Sequence, residues 1–168
     1  MPVKSNKLLM EIGKVISQYK MNDDQKFLKK LIFFMIDSIN LIDNKYFILS
    51  KDCIQKYLKK AKEIWNNGGS PKELEKVFLE YEIELTKIKS KNDIRFKEHS
   101  AWCCMMTVLH NFRENPFKYY ISYIGKKPDD SAIMSACRTF CMFMDTLPTL
   151  DLNEKDIMKL LRIHFDII

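Results

Sequence analysis

Residues 50–88 decide the fold, and they read SKDCIQKYLKKAKEIW (50–65), NNGG (66–69) and SPKELEKVFLEYEIELTKI (70–88). On either side of NNGG, apolar residues recur three and four positions apart, which is the spacing of one face of an α-helix. The first stripe consists of Ile54, Tyr57, Leu58, Ala61 and Trp65, and the second of Leu74, Val77, Phe78, Tyr81, Leu85 and Ile88. The sequence therefore predicts two successive amphipathic helices.

The turn between these helices carries its own stop and start signals. A glycine at position 68 or 69 can adopt the left-handed conformation that ends a helix. Ser70 can cap the next helix, Pro71 suits its first position and Glu73 completes a capping box. We therefore expect the two helices to be joined by a tight turn.

Helical periodicity continues on both sides of this pair. The further predicted helices cover residues 8–19, 24–42, 101–109, 116–124, 131–147 and 154–165, the last capped by Asn153. Residues 101–109 and 131–147 are almost entirely apolar, so both helices are expected to be buried on all sides. The fold class is all-α: one helical domain over residues 1–168, a compact bundle of about eight helices with two central and apolar. HEAT-like pairing is a variant of this arrangement, and residues 46–49 fit either a strand or a packed linker.

Composition and length bound the compartment. The chain has 168 residues, 46% of them hydrophobic and 30% charged, which is normal for a globular domain able to fold without disulfides or metal. The longest strongly apolar run, residues 31–36, is far short of the roughly twenty residues of a membrane span. The N-terminus shows no secretory signal, and five cysteines in apolar stretches indicate free thiols in a reducing compartment. We expect a cytoplasmic protein that does not bind membranes.

The charge is uneven along the chain. The formal net charge is +6, and lysines dominate the first 62 residues. A solvated surface is the main interpretation of these lysines, and loose binding to nucleic acid or to a membrane surface is the alternative. An acidic stretch opposes this charge and is the candidate for binding a basic partner. The candidate partner-binding residues are Glu73, Glu75, Glu80, Glu82 and Glu84, together with the loop residues Asp129 and Asp130. The competing interpretations are a solubilising helix face and, for the two aspartates, capping of the helix at residue 131.

Candidate chemistry is sparse. His99 and Cys103 lie four residues apart, as do Cys137 and Cys141, so two helices could together offer four zinc ligands. Cysteines inside apolar helices usually behave as small hydrophobic residues, however, and a helix interior is a poor place for the thiolate of a Cys–His nucleophilic pair. His164 is expected on the inward face of the last helix. We therefore predict no catalytic residues, no metal site and no cofactor.

The helix order resembles the all-α immunity proteins of bacterial polymorphic toxin and contact-dependent growth inhibition systems. The resemblance covers about residues 27–147. It is carried by the helix Cys53–Trp65 running into Asn66–Gly69, the restart Ser70–Leu74, and the helices that contain Ser100–Cys104 and Ser131–Ala136. Here Met, Cys and Phe stand where that family tends to have Ala, and no functional residue of the family maps onto this chain.

The resemblance implies an immunity protein that binds one cognate toxin domain, a nuclease in the first instance, as a 1:1 complex. Such a protein neutralises the toxin by covering its active site or blocking substrate access, and it has no activity alone. Direct binding of nucleic acid is not expected under this hypothesis. The alternatives are a helical adaptor or regulatory protein-binding module, and a lysine-rich nonspecific nucleic-acid binder.

Overall fold

The computed structural model describes residues 24–67, 71–111, 143 and 146–165, and this part of the chain is all-helical, with no strand. Its five α-helices are α1 (Asp24–Ile39), α2 (Lys51–Asn66), α3 (Pro71–Ile88), α4 (Phe96–Met106) and α5 (Glu154–His164). The all-α class is confirmed. The predicted helices over residues 8–19 and 116–124, and nearly all of the one over 131–147, lie outside the described residues. The count of about eight therefore stays a prediction.

Helices α2 and α3 pack side by side in antiparallel directions, with Lys60 opposite Glu80 and Lys56 opposite Glu84. The glycine and Ser70 signals predicted for the turn between them lie outside the described residues. Ser50 caps α2 by accepting a hydrogen bond from the Cys53 amide at 3.3 Å, and the predicted apolar stripe of α2 is buried in full. Across the helix interface, the Tyr57 and Tyr81 rings meet edge to face at 5.7 Å. Ile88 was predicted to be buried, but it is 63% exposed because it is the last residue of α3, at the open end of the pair.

Helix α1 lies at the centre of the core, and α5 packs along it. Residues 31, 32, 34, 35, 36 and 39 of α1 are all fully or almost fully buried. The helix ends at Ile39, three residues earlier than predicted, and the amides of Leu41 and Ile42 close the final turns by bonding to the carbonyls of Ser38 and Ile39. Helix α5 begins as predicted, with Asn153 accepting a hydrogen bond from the Lys155 amide at 2.9 Å.

Helix α4 differs in part from its prediction. It begins at Phe96, and a π-helical turn, Thr107–Asn111, follows it. One side is buried through residues 100, 101, 104 and 105, but Trp102 and Cys103 are only half-buried. The expectation of burial on all sides is therefore wrong for this helix, because the Trp102 side lies at the edge of α3, where its indole nitrogen donates to Glu82 at 2.7 Å.

The connections of the described residues are short and packed. Residues 44–46 form a single 3₁₀ turn and Leu49 is buried, so residues 46–49 are a packed linker and not a strand. A second 3₁₀ turn, Leu147–Leu150, contains Pro148 near its start and contacts α4. Among the helices that the described residues form, none has both the length and the apolar character needed to span a bilayer.

Candidate protein interface

The glutamates of α3 divide between two edges of the helix. Because successive residues are about 100° apart around a helix axis, Glu73, Glu80 and Glu84 fall on one edge, and Glu75 and Glu82 fall on the other. The contacts agree with this division. On the first edge, Glu80 and Glu84 accept hydrogen bonds from Lys60 and Lys56 of α2, both at 3.0 Å. Glu82, on the second edge, accepts from Trp102 of α4. The five carboxylates therefore do not form one continuous negative face.

Two of the three carboxylates on the first edge, those of Glu80 and Glu84, are paired with lysines of α2. The hydrogen bond from Lys56 lowers the pKa of the Glu84 carboxyl, and the same contact raises the pKa of the Lys56 ammonium. The Lys56 ammonium also lies 4.7 Å from the centroid of the Tyr57 ring. Burial, with Glu84 nearby, raises the pKa of Tyr57 to about 12. Lysine charges that the sequence places on the outer face of α2 are thus partly balanced by carboxylates of α3.

An apolar ridge separates the two edges. Leu79 and Ile83 lie one turn apart on the side of α3 that faces away from the core, and they are 51% and 54% exposed. We call this pair the α3 ridge. The ridge was not predicted from the sequence, because only the apolar residues of the buried stripe were given a role there. The available signal was their position, since both fall outside the stripe that begins at Leu74.

A groove runs beside the ridge, where the last two turns of α2 meet the first turns of α3. Its volume is about 370 Å³. We call it the α2–α3 groove, and it is lined by Lys60, Glu63, Ile64, Asn67, Glu73, Lys76, Val77 and Glu80. Of the predicted partner-binding residues, the groove brings together Glu73 and Glu80, and it adds Glu63, which sequence reasoning did not single out.

The zinc site and the Cys–His nucleophile that were considered and not predicted from the sequence have no support among the described residues. His99 Nδ1 lies 3.6 Å from Cys103 Sγ, but no group of three or more His, Cys, Asp or Glu side chains there could hold a metal ion. Burial raises the pKa of both the Cys103 and the Cys104 thiols, which is the opposite of what a nucleophile requires. Cys137 and Cys141, and the predicted interface residues Asp129 and Asp130, lie outside the described residues.

His164 is half-buried as predicted, and its Nε2 atom bonds with Asp37. It therefore has a structural partner within the core of the helical bundle.

Comparison of the chain with protein-family models, with curated proteins and with solved structures finds no match. No relative assigns a role to any residue, so the surface chemistry of α3 is the guide to function.

Proposed function

We propose that the protein is an immunity protein, which binds a cognate bacterial toxin domain as a 1:1 complex and neutralises it by covering its active site or its substrate path. The toxin domain is a nuclease in this proposal. The observation that carries it is the α3 ridge, Leu79 and Ile83, with charged side chains around it.

The ridge has the layout of a protein interface. Interfaces typically have an apolar centre surrounded by a polar rim, and their binding energy is concentrated in a few central residues. Leu79 and Ile83 supply such a centre. Glu75 and Lys76 lie one turn before them on the same helix, and Thr86 and Lys87 one turn after. Two apolar side chains are too few for a complete interface, so the partner also contacts the neighbouring edges of α3.

The charge of α3 favours a basic partner. This helix contains five glutamates and three lysines, and it is the only net-negative helix among the five described. The chain as a whole carries +6. A local charge opposite to the net charge orients a basic surface during encounter and discourages wrong partners. A nuclease, whose substrate is a polyanion, is expected to present such a surface.

The same contacts weigh against nucleic acid as the partner. Lys56, Lys60 and Lys62 of α2 pair with Glu84, Glu80 and Asp37 at 3.0, 3.0 and 2.6 Å. Lysines bind a phosphate backbone by neutralising its phosphates, which releases the counterions condensed on the nucleic acid. An ammonium already paired with a carboxylate contributes less to that release. Lys51 and Lys59 are exposed lysines of α2 that form no ion pair with another described residue.

The test is co-expression of the full chain with a catalytically inactive variant of the toxin domain encoded next to its gene. We expect a 1:1 complex that persists at about 0.5 M salt, where exposed charges are strongly screened. The double variant Leu79→Ser, Ile83→Ser should lose the complex. Ile163→Ser is the matched control, because Ile163 is an apolar side chain of α5 that is 61% exposed.

Three results would overturn the proposal in different ways. If the toxin domain does not bind and only salt-sensitive nucleic acid is recovered, the protein is a nucleic-acid binder. A complex that leaves the active toxin fully active indicates an adaptor. If the ridge variant binds as tightly as the wild-type protein, the toxin contacts another surface.

A further inference from the structure

The α2–α3 groove is open to solvent, with two apolar side chains in its lining and an ion pair across one end. Val77 of α3 is 6% exposed and Ile64 of α2 is half-buried, and these two side chains form the floor. The ion pair between Lys60 and Glu80, at 3.0 Å, bridges the two helices at one end. Asn67, the C-cap residue that follows α2, lies at the other end. The groove is therefore a short slot with a bridged inner end.

The charges that line this slot favour a cation. Lys60 and Glu80 neutralise each other, which leaves the carboxylates of Glu63 and Glu73 against the single ammonium of Lys76. The last turn of α2, which contains Glu63, has no basic residue. The partial negative charge of that helix end is therefore not balanced by a cation of its own turn. Glu73 lies in the first turn of α3, where the partial positive charge of the helix N-terminus stabilises its carboxylate.

We infer that the α2–α3 groove binds an arginine side chain of the partner, with the aliphatic stem on Ile64 and Val77 and the guanidinium between Glu63 and Glu73. The identity of the partner rests on the proposed function, but the chemistry of the slot does not. Arginine fits better than lysine because its planar guanidinium can bond with two carboxylates at once and is more weakly hydrated. Its stem needs an apolar surface, which the floor supplies.

The groove and the ridge belong to one surface. Lys76 and Glu80 line the groove, and both lie within one turn of Leu79 or Ile83 on α3. A partner segment that covers Leu79 and Ile83 with apolar side chains can therefore place a neighbouring arginine in the groove. This specifies the kind of segment expected in the toxin domain, namely apolar residues beside an arginine.

The groove can be tested without any partner. The probe is acetyl-argininamide, titrated into the ¹⁵N-labelled full chain and followed by NMR. We expect weak, saturable binding, on the order of millimolar, with shifts concentrated at the amides of Glu63, Asn67, Glu73 and Val77. The double variant Glu63→Gln, Glu73→Gln should raise the Kd at least about tenfold. Asp156→Asn is the matched control, because it removes an exposed carboxylate from the first turn of α5, a helix outside the groove and the ridge.

The outcomes separate this inference from the proposed function. Shifts scattered over all acidic residues, or equal binding by the double variant and the wild-type protein, would overturn the groove site. Saturable binding in the groove together with no toxin complex would overturn the immunity role alone. If the toxin complex forms, the double variant should lower its affinity while Asp156→Asn does not, and equal affinities of the double variant and the wild-type protein would show that no arginine of the toxin enters the groove.

Discussion

The imidazole Nε2 of His164 lies 2.7 Å from Oδ2 of Asp37, a residue 127 positions earlier in the chain. Oδ1 of the same carboxylate accepts a hydrogen bond from Lys62 at 2.6 Å. One aspartate of α1 thus joins α2 and α5. Burial by itself would raise the pKa of Asp37, but the hydrogen bonds from His164 and Lys62 outweigh it, and the pKa is lowered. The Phe34 ring also packs against the imidazole in an edge-to-face arrangement, with 6.3 Å between the two ring centroids.

Asp37→Asn should therefore destabilise the folded chain. The amide keeps the shape of the carboxyl group but cannot accept two charge-assisted hydrogen bonds. Half-buried His164 and Lys62 then lose their counterion. We expect a loss of about 1–3 kcal/mol in the free energy of unfolding, measured by urea titration. Asp93→Asn, at an exposed position, is the control and should change stability by less than about 0.5 kcal/mol. Equal effects of the two changes would contradict the role of Asp37.

The same carboxyl group predicts a pH dependence. Its pKa in the folded state is below the ordinary value of 3.8, so the unfolded state binds more protons between the two values. The stabilisation is complete above about pH 5 and is lost as the pH falls through the folded-state pKa. Between about pH 5 and 3, the free energy of unfolding should fall more steeply for the wild-type chain than for Asp37→Asn. Parallel curves for the two proteins would exclude this linkage.

Much of the fold follows from local sequence signals. The stripe from Ile54 to Trp65 and the cap Asn153 are confirmed because each depends only on residues within a turn or two. The errors arise where tertiary packing decides. Ile88 fits the period of its stripe, but none of the described helices covers the end of α3. Trp102 lies in an apolar run whose outer side faces Glu82.

The candidate interface was less predictable than the fold. Counting glutamates identified α3 as unusual, but it could not show which carboxylates pair with lysines of α2. That pairing depends on the antiparallel packing of α2 and α3, which places Lys60 opposite Glu80 and Lys56 opposite Glu84. Glu63 became relevant for the same reason, since only packing brings it into one groove with Glu73.

Asp151 makes a second polar contact between segments that are distant in the chain. It has φ 61° and ψ 31°, and it is the only non-glycine residue with positive φ among those described. Its Oδ2 accepts hydrogen bonds from Tyr46 and Lys97, both at 2.5 Å. Asp151→Ala and Asp151→Gly both remove these bonds, but only glycine relieves the left-handed backbone. We expect the glycine variant to melt about 2–4 °C above the alanine variant in calorimetry. Equal melting temperatures would mean that the segment relaxes out of this conformation.

The thiols of α4 should differ in reactivity. Cys104 is fully buried whereas Cys103 is half-buried, and burial raises the pKa of each thiol. Because only the thiolate reacts with alkylating agents, both should react more slowly than a free thiol, and Cys104 should react only through unfolding or local opening. Timed iodoacetamide labelling with peptide mass spectrometry measures each site, and denatured protein is the control. Rapid native labelling of Cys103 would instead indicate an activated thiolate and revive the nucleophile hypothesis.

Shortening a leucine should lower the free energy of unfolding much more on the buried face of α3 than on its exposed face. Leu74 is fully buried against the core, so Leu74→Ala removes packed methyl groups and leaves a cavity. We expect a loss of about 2–5 kcal/mol in the free energy of unfolding. Leu79 is half-exposed on the ridge, and Leu79→Ala should change the same quantity by no more than about 0.5 kcal/mol in urea titrations. If Leu79→Ala destabilises the isolated chain as strongly as Leu74→Ala does, the ridge is part of the core and cannot be the centre of an interface. A stable Leu79→Ala protein that binds the toxin domain more weakly than the wild-type protein separates binding from folding, which is the distinction that the proposed function requires.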